Sequence, residues 1–285
     1  MNIQALLASS IDGLMLGFVY GLAAMGMTLI FGVMRVINLA HATVIMMGMY
    51  LVYVLSNQLG INPYVGVVLA LLFGLAFGVV MYFIAVHRVI NARELTTLLA
   101  TYSVNLMITG IATVVFTTTP RALSVDLGAL RAGAVTILGT RAVAVLIAIL
   151  VAVALYVFLY RTRVGKSIRA VSNNRSAAEL MGINTTGMLA LSFGIGTMLA
   201  MISGGLLATL FSFTVLSGNA YGTKSFVIVV LGGLGNPTGA LLGGIVWHNS
   251  GRPRVGRLWV PCSNRTRGHG MSGWVTCGPA FNAPA

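Results

Sequence analysis

Acidic residues are almost absent from this sequence, which has four among 285 residues: Asp12, Glu94, Asp126 and Glu179. None of them lies near the middle of a long apolar stretch. Many proton-coupled carriers place a carboxylate there, since an ionisable group inside a membrane is costly and usually functional. The absence of a carboxylate in the middle of an apolar stretch counts against ion-driven transport. All charged residues together make up 7% of the chain, against about 25% in soluble domains, so the chain cannot cover a globular surface with polar groups.

Cysteine is missing from the first 261 residues, because the two cysteines are Cys262 and Cys277. Neither disulfides nor a cysteine metal site can therefore organise that part of the chain. His41 and His87 have no cysteine or acidic partner within sequence reach, so no catalytic constellation is visible and we do not expect an enzyme.

A nucleotide site of the chain's own is also missing. Gly165-Lys166-Ser167 resembles the end of a phosphate-binding loop, but Tyr160 stands where that pattern needs its first glycine. We expect no bound cofactor. The net charge of +13 could suggest nucleic acid, but positive residues also gather in the cytoplasmic loops of inner-membrane proteins. The second explanation fits this composition, so we predict no nucleic-acid partner.

Long apolar runs are what the chain does have. Each of them approaches the 17 to 25 residues that cross a bilayer, and the second is the weakest and could be broken or re-entrant. They predict an all-α polytopic helical bundle in the membrane, with about seven segments at 11–34, 42–59, 63–86, 96–116, 141–160, 188–213 and 224–247. Gly13, Gly17 and Gly21 repeat at spacing four, as do Gly74 and Gly78, which predicts close helix packing.

The basic residues predict the orientation. With the N-terminus outside, eight of them face the cytoplasm: Arg35, Arg88, Arg93, Arg161, Arg163, Lys166, Arg169 and Arg175. Four fall outside, at Arg121, Arg131, Arg141 and Lys224. The positive-inside rule favours this orientation over the reverse.

One polar stretch, SIRAVSNNRSAAELMGINTTG at 167–187, interrupts the apolar sequence and lies in the cytoplasm in this topology. Ser176 to Glu179 fits a capping box, Asn173 or Asn174 could cap a longer helix, and Gly182 suits the left-handed residue that ends one. Asn184 or Thr185 could cap the next membrane helix. From these features alone, a partner-binding helix and a solvated loop helix are nearly equal alternatives.

A resemblance favours the first alternative. Arg169-Ala170-Val171 followed by AAELMGIN resembles the cytoplasmic coupling loop of ABC-importer permeases of the branched-chain amino acid family. Three more stretches resemble that family: GLAAMGMTLIFGVMRVINLAHATVIMMGMY at 21–50, LLATYSVNLMITG at 98–110 and FVIVVLGGLGNPTGALLGG at 226–244. The similarity runs from about residue 10 to 246.

The resemblance implies a permease subunit of an ATP-driven importer in the bacterial inner membrane. Its partners would be a second permease subunit, two cytoplasmic ATPases and a periplasmic substrate-binding protein. The coupling loop would be 161–187, within a permease domain at 1–247. The implied ATPase contacts are Arg169, Arg175, Ala177, Ala178, Glu179 and Gly182, and we expect Ala177 and Ala178 to offer a face that enters a groove.

The resemblance indicates the substrate less closely than it indicates the family. The family commonly has Gly and an acidic residue after the histidine, where Ala42 and Thr43 stand here. Relatives that carry urea or short amides share the 98–110 block, so these substrates stay open beside branched-chain amino acids. An ion-coupled carrier working alone is the alternative from another class. Asn38, His41 and Asn105 are candidates for the pathway, or equally for packing hydrogen bonds between helices.

The tail at 248–285 does not fit the rest. It has no isoleucine, one leucine, five arginines and both cysteines, where the family would add a further membrane segment. We interpret it as a frameshift or recombination product beginning near residue 247, in which case the chain could be an inactive remnant. A metal site from Cys262, His269 and Cys277 is the weaker alternative, since this spacing matches no standard zinc pattern.

Overall fold

The computed structural model describes residues 3–90, 92, 94–123, 125, 128–132 and 135–250, with the backbone alone described for 3–9, 94, 129–132, 135–137, 249 and 250. Ten α-helices and a short hairpin form the described chain. The helices are α1 (Ile3–Met34), α2 (His41–Leu59), α3 (Pro63–Met81), α4 (Glu94–Phe116), α5 (Gly139–Arg161), α6 (Arg163–Asn173), α7 (Arg175–Leu180), α8 (Thr185–Leu210), α9 (Ser217–Gly232) and α10 (Pro237–Ser250). A π-helical turn, Tyr82–Val86, continues α3.

Six of the described helices are long and apolar enough to cross a membrane: α1, α2, α3 with its π-helical turn, α4, α5 and α8. They confirm the predicted all-α polytopic membrane protein. The second segment is one continuous helix from His41 to Leu59, so the expectation that it could be broken is wrong.

The break lies instead in the seventh segment. The sequence predicts one span over 224–247, but the structure has two helices, α9 and α10, whose axes bend by 114°. Gly233 and Gly235 between them have φ of 91° and 89°, values that glycine adopts without steric cost. Asn236 Oδ1 accepts a hydrogen bond from Gly239 N at 3.2 Å and caps α10, which starts at Pro237.

Helix α10 runs back along α1 because glycines let the two backbones touch. A Cβ at Gly17 would lie 2.8 Å from Ile245 Cα, and one at Gly21 would lie 3.1 Å from the carbonyl oxygen of Leu241. This confirms the close packing predicted from the glycine spacing on α1. Helix α10 continues to Ser250, three residues past the predicted boundary, and the rest of the tail, including Cys262, His269 and Cys277, lies outside the described residues.

The centre of the bundle is α8, which packs against α1, α2 and α3. Gly78 of α3 meets Gly194 and Thr197 of α8, where an added Cβ would lie 2.8 Å from Gly194 Cα. Thr197 Oγ1 donates to the carbonyl of Gly74 at 3.0 Å. The pair Gly74 and Gly78 therefore packs tightly, as its spacing predicts.

Different loops and helix ends meet at the two ends of the bundle. At one end, Ile30, Ala40, Tyr82, Val86, Val171, Ala178, Leu189 and Phe193 share one buried cluster. This brings the ends of α1 and α3 together with α6, α7 and the start of α8. At the other end, Tyr50 of α2 stacks on Phe116 at 4.3 Å between ring centroids. The loop there contains an antiparallel hairpin of β1 (Ala129–Ala132) and β2 (Val135–Leu138), which the sequence did not predict.

Candidate coupling segment and buried polar groups

Helix α6 packs along the end of the bundle where α1 terminates. Thr162 separates it from α5 and caps it, accepting a hydrogen bond from Gly165 N at 3.0 Å. Ile168 is buried on its inner face. Ser172 Oγ donates to the carbonyl of Gly32 at 2.6 Å, so α6 is tied directly to the last turns of α1.

Helix α7 begins at a different cap from the one that the capping box predicts. Asn174 has an extended backbone, with φ −154° and ψ 106°, and its Oδ1 accepts from Ala177 N at 3.0 Å. Ser176 already lies inside the helix, so it cannot be the cap. The capping-box assignment is wrong, and the longer helix capped by Asn174 is the one that forms.

The two alanines of α7 point in opposite directions. Ala177 is exposed, whereas Ala178 is buried with 4% of its surface accessible. Ala178 packs in the cluster that contains Ile30, Tyr82 and Phe193. The expected exposed alanine face is therefore wrong for Ala178, because the chain's own core already covers that side of the helix.

Polar contacts hold the end of α7 against α8. Thr185 Oγ1 donates to Glu179 Oε1 at 2.6 Å, and Arg175 Nε lies 3.7 Å from the same oxygen. Ile183 N donates to the carbonyl of Ala178 at 3.0 Å. Gly182 has φ of 79°, the left-handed conformation predicted from its place after the helix. Glu179 thus braces α7 on the first residue of α8.

The tip of α7 exposes two large apolar side chains. Leu180 is 89% accessible and Met181 is 82% accessible, although they lie at the end of the bundle that carries the polar loops. Two adjacent, almost fully exposed apolar side chains on a fixed polar helix are typical of a surface that binds a partner. Sequence reasoning missed them. Their signal was two large apolar residues directly after Glu179, in a stretch that is otherwise polar.

Arg169 lies beside this segment, with its guanidinium 4.5 Å from the ring centroid of Tyr160. It lines a cavity of about 260 Å³ that also touches Ser172, Asn173 and Pro237. The cavity separates α6 from the bend between α9 and α10. Helix α6 is thus packed against α1 on one side and has free space on another.

The loop between α1 and α2 folds back into the bundle. His41 Nε2 donates to the carbonyl of Ala23 at 2.9 Å. Ala23 lies eleven residues before the end of α1 at Met34, which is about 16 Å along the helix. Asn38 Oδ1 accepts from Ala40 N at 3.1 Å. Both Asn38 and His41 are 1% accessible, so they lie well inside the bundle.

Polar atoms without a partner remain at all three candidate pathway residues. Asn38 Nδ2, His41 Nδ1 and Asn105 Oδ1 are buried and make no hydrogen bond with any described residue. Leu39 N donates to Thr101 Oγ1 at 3.4 Å, one helical turn before Asn105, which places the loop against this part of α4. Buried polar atoms are nearly always paired, so these three offer unused capacity to bind a polar molecule or water.

Comparison with known proteins agrees with this architecture. Residues 9–249 match the family model described as the branched-chain amino acid transport system permease component. The chain is similar to the high-affinity branched-chain amino acid transport system permease protein LivH of Escherichia coli strain K12, at 29% identity over 82% of this chain and 81% of the relative.

Two other relatives extend the similarity. The permease protein BraD of Pseudomonas aeruginosa is 27% identical over 83% of this chain and 82% of its own length. The probable permease protein LivH of Methanocaldococcus jannaschii is 28% identical over 79% and 73%. No solved structure matches the chain. The matched residues include every described helix that could cross a membrane, and this chain therefore belongs to the permease component family of branched-chain amino acid transport systems.

Proposed function

We propose that this chain is the permease subunit of an ATP-driven importer that moves branched-chain amino acids across the bacterial inner membrane. It would work with a second permease subunit, two cytoplasmic ATPases and a periplasmic substrate-binding protein. The relatives named above are branched-chain amino acid permeases, which supports the substrate class. We propose that ATP hydrolysis takes place on the separate ATPase subunits, since the relatives named above are permease proteins.

The observation that carries the proposal is the exposed apolar tip of α7. Leu180 and Met181 would enter a groove on the ATPase, with Ala177 beside them and Arg169 and Arg175 flanking. Ala178 would anchor the helix rather than touch the ATPase, because it is buried in this chain.

Two contacts would transmit movement of α7 to the membrane helices. Glu179 bonds to Thr185 at the start of α8, and α8 forms the centre of the bundle. Helix α6 bonds through Ser172 to Gly32 near the end of α1. A push on the tip would therefore reach α8 and α1 together, and Gly182 would act as the pivot.

The orientation that this mechanism needs has the N-terminus outside. The positive-inside rule supports it, since α6 and α7 carry Arg163, Lys166, Arg169 and Arg175. We propose Asn38, His41 and Asn105 as groups that line the pathway, because each keeps a buried polar atom free for a passing substrate.

The partnership is tested by affinity purification of the tagged chain from membranes of its source organism. We expect the ATPases and a second permease to co-purify, with one ATPase per permease subunit. Recovery of a stable complex without any ATPase would contradict the proposal. Uptake of urea or a short amide by the purified complex, in place of leucine, would assign it to the other substrate class.

A further inference from the structure

Lys224 lies farther from the start of its helix than the sequence predicts. The topology places it at the outer boundary of the seventh segment, but α9 starts at Ser217, so Lys224 is seven residues inside the helix. Its Nζ lies 5.3 Å from the ring centroid of Tyr20. Tyr20 is ten residues after the start and fourteen before the end of the Ser10–Met34 span, or about 15 Å and 21 Å of helix. Lys224 therefore sits near the middle of the membrane-spanning part.

The surroundings of this ammonium group are aromatic. The Nζ also lies 5.5 Å from the ring of Tyr221, and both contacts are within the range of cation–π attraction. Among the residues that the structure describes, no carboxylate forms an ion pair with Lys224. A charged side chain at membrane depth without a counter-charge usually marks the path of a substrate or an ion.

Lys224 shares an exposed face with other small or polar residues. Asn219, Ala220, Thr223 and Lys224 are all exposed and recur at helical spacing on the first half of α9. Thr223 Oγ1 donates to the carbonyl of Asn219 at 2.9 Å. The second half of the exposed surface is apolar, with Phe226, Val230 and Leu231. A polar face at this depth suits a water-filled pathway, whereas lipid tails would leave its polar groups unpaired.

We infer that this face of α9 lines the translocation pathway and that Lys224 binds the carboxylate of the substrate. The inference rests on the proposed function and narrows it, since amino acids carry a carboxylate while urea and short amides do not. The rings of Tyr20 and Tyr221 hold the ammonium group until the carboxylate arrives. Tyr20 is buried, so the partly accessible ring of Tyr221 is the one that offers a surface for an aliphatic side chain. No bond is made or broken, because the recognition is an ion pair formed and released during passage.

Transport by two variants of the complete complex tests this role. In proteoliposomes with the partner subunits and binding protein, Lys224→Gln should reduce uptake of leucine about tenfold to a hundredfold, the effect of losing a charge-assisted hydrogen bond. Lys224→Arg should keep most of it. Both variants should retain the ATPases after washing and melt like the wild type, whereas loss of assembly or a lower melting temperature in Lys224→Gln would show a structural role instead.

Chemical labelling gives a readout that does not depend on transport. The sequence has two lysines, Lys166 and Lys224, so Lys166→Arg leaves Lys224 as the single lysine side chain. Trinitrobenzenesulfonate, a water-soluble amine reagent, should modify Lys224 in the complex. With the reagent in large excess over all free amines, leucine should slow this modification. Leucinamide, which consumes the reagent as leucine does but lacks a carboxylate, should not slow it, and neither should urea.

The outcomes separate this inference from the proposed function. Normal leucine uptake by Lys224→Gln, or no protection by leucine, would overturn the inference and leave the importer intact. Failure of the wild-type complex to take up any branched-chain amino acid would overturn the importer. In that case the labelling experiment still tests the carboxylate site. Protection of Lys224 by leucine, with none by leucinamide or urea, supports the site. An unreactive Lys224, or protection by urea, refutes it.

Discussion

Replacement of Leu180 and Met181 by serine should detach the ATPase from this permease. Full burial of a Leu or Met side chain stabilises by about 1.5 to 3 kcal/mol, and these side chains have 89% and 82% of their surface available. Together they would contribute about 3 to 5 kcal/mol to ATPase binding. Since about 1.4 kcal/mol is tenfold in affinity, the double variant should bind the ATPase about two to four orders of magnitude more weakly.

The assay is retention of the ATPase on the tagged permease after washing in detergent, measured together with leucine uptake. Leu59→Ser is the matched control, because Leu59 is 64% accessible and lies at the opposite end of the bundle, beyond Tyr50. It should leave both retention and uptake unchanged. The double variant should insert into the membrane and melt like the wild type, since neither side chain packs in the core.

Full retention of the ATPase by the double variant would refute the assignment of α7 as the contact. Equal losses in the double variant and in Leu59→Ser would show that exposed apolar residues act through general instability. Loss of uptake with the ATPase still bound would show that α7 transmits movement but does not supply binding energy.

Three further predictions concern the buried side of α7, the packing of α3 on α8 and the tail. Ala178→Arg should place an unpaired charge in the buried cluster, at a cost of about 3 to 5 kcal/mol. It should therefore open the segment between α6 and α8 to protease and abolish uptake. Ala177→Arg, on the exposed side of α7, should leave protease resistance unchanged. Gly78→Ala should lower the stability in detergent by about 1 to 3 kcal/mol through overpacking against α8. Gly110 has open space around it, so Gly110→Ala should leave the melting temperature within about a degree or two. Equal melting temperatures of the two variants would contradict the packing of α3 on α8. DNA sequencing across codon 247 should find another reading frame that encodes an apolar helix, and a confirmed tail without such a frame would remove the frameshift interpretation.

Hydropathy alone was enough to predict six membrane helices, because each is a long run of apolar residues. It was insufficient for the seventh, since the run FVIVVLGGL at 226–234 contains no charged or strongly polar residue, although the backbone bends sharply at its end. The turn signal was present in Gly-Gly-Leu-Gly-Asn-Pro at 232–237, where glycines allow positive φ and proline starts a new helix. Reading that signal before the hydropathy would have separated α9 from α10.

The segment formed by α6 and α7 was predictable in outline, but its contacts were not. A cap near residue 174, a left-handed Gly182 and a cap at Asn184 follow from local chemistry, and the structure has all three. The direction of Ala178 depends on which helices surround α7, so no local pattern specifies it. The depth of Lys224 likewise depends on where α9 begins and on its contact with Tyr20, which lies about two hundred residues earlier in the chain.

We propose that ATP drives branched-chain amino acids through a pathway that this chain helps to form. The most direct measurement is uptake of labelled leucine into proteoliposomes that contain the purified complex, with binding protein outside and ATP inside, in the presence of ionophores that abolish proton and sodium gradients. We expect uptake that requires ATP and persists with the ionophores. Uptake that continues without ATP and stops when the ion gradients collapse would contradict it and identify an ion-coupled carrier.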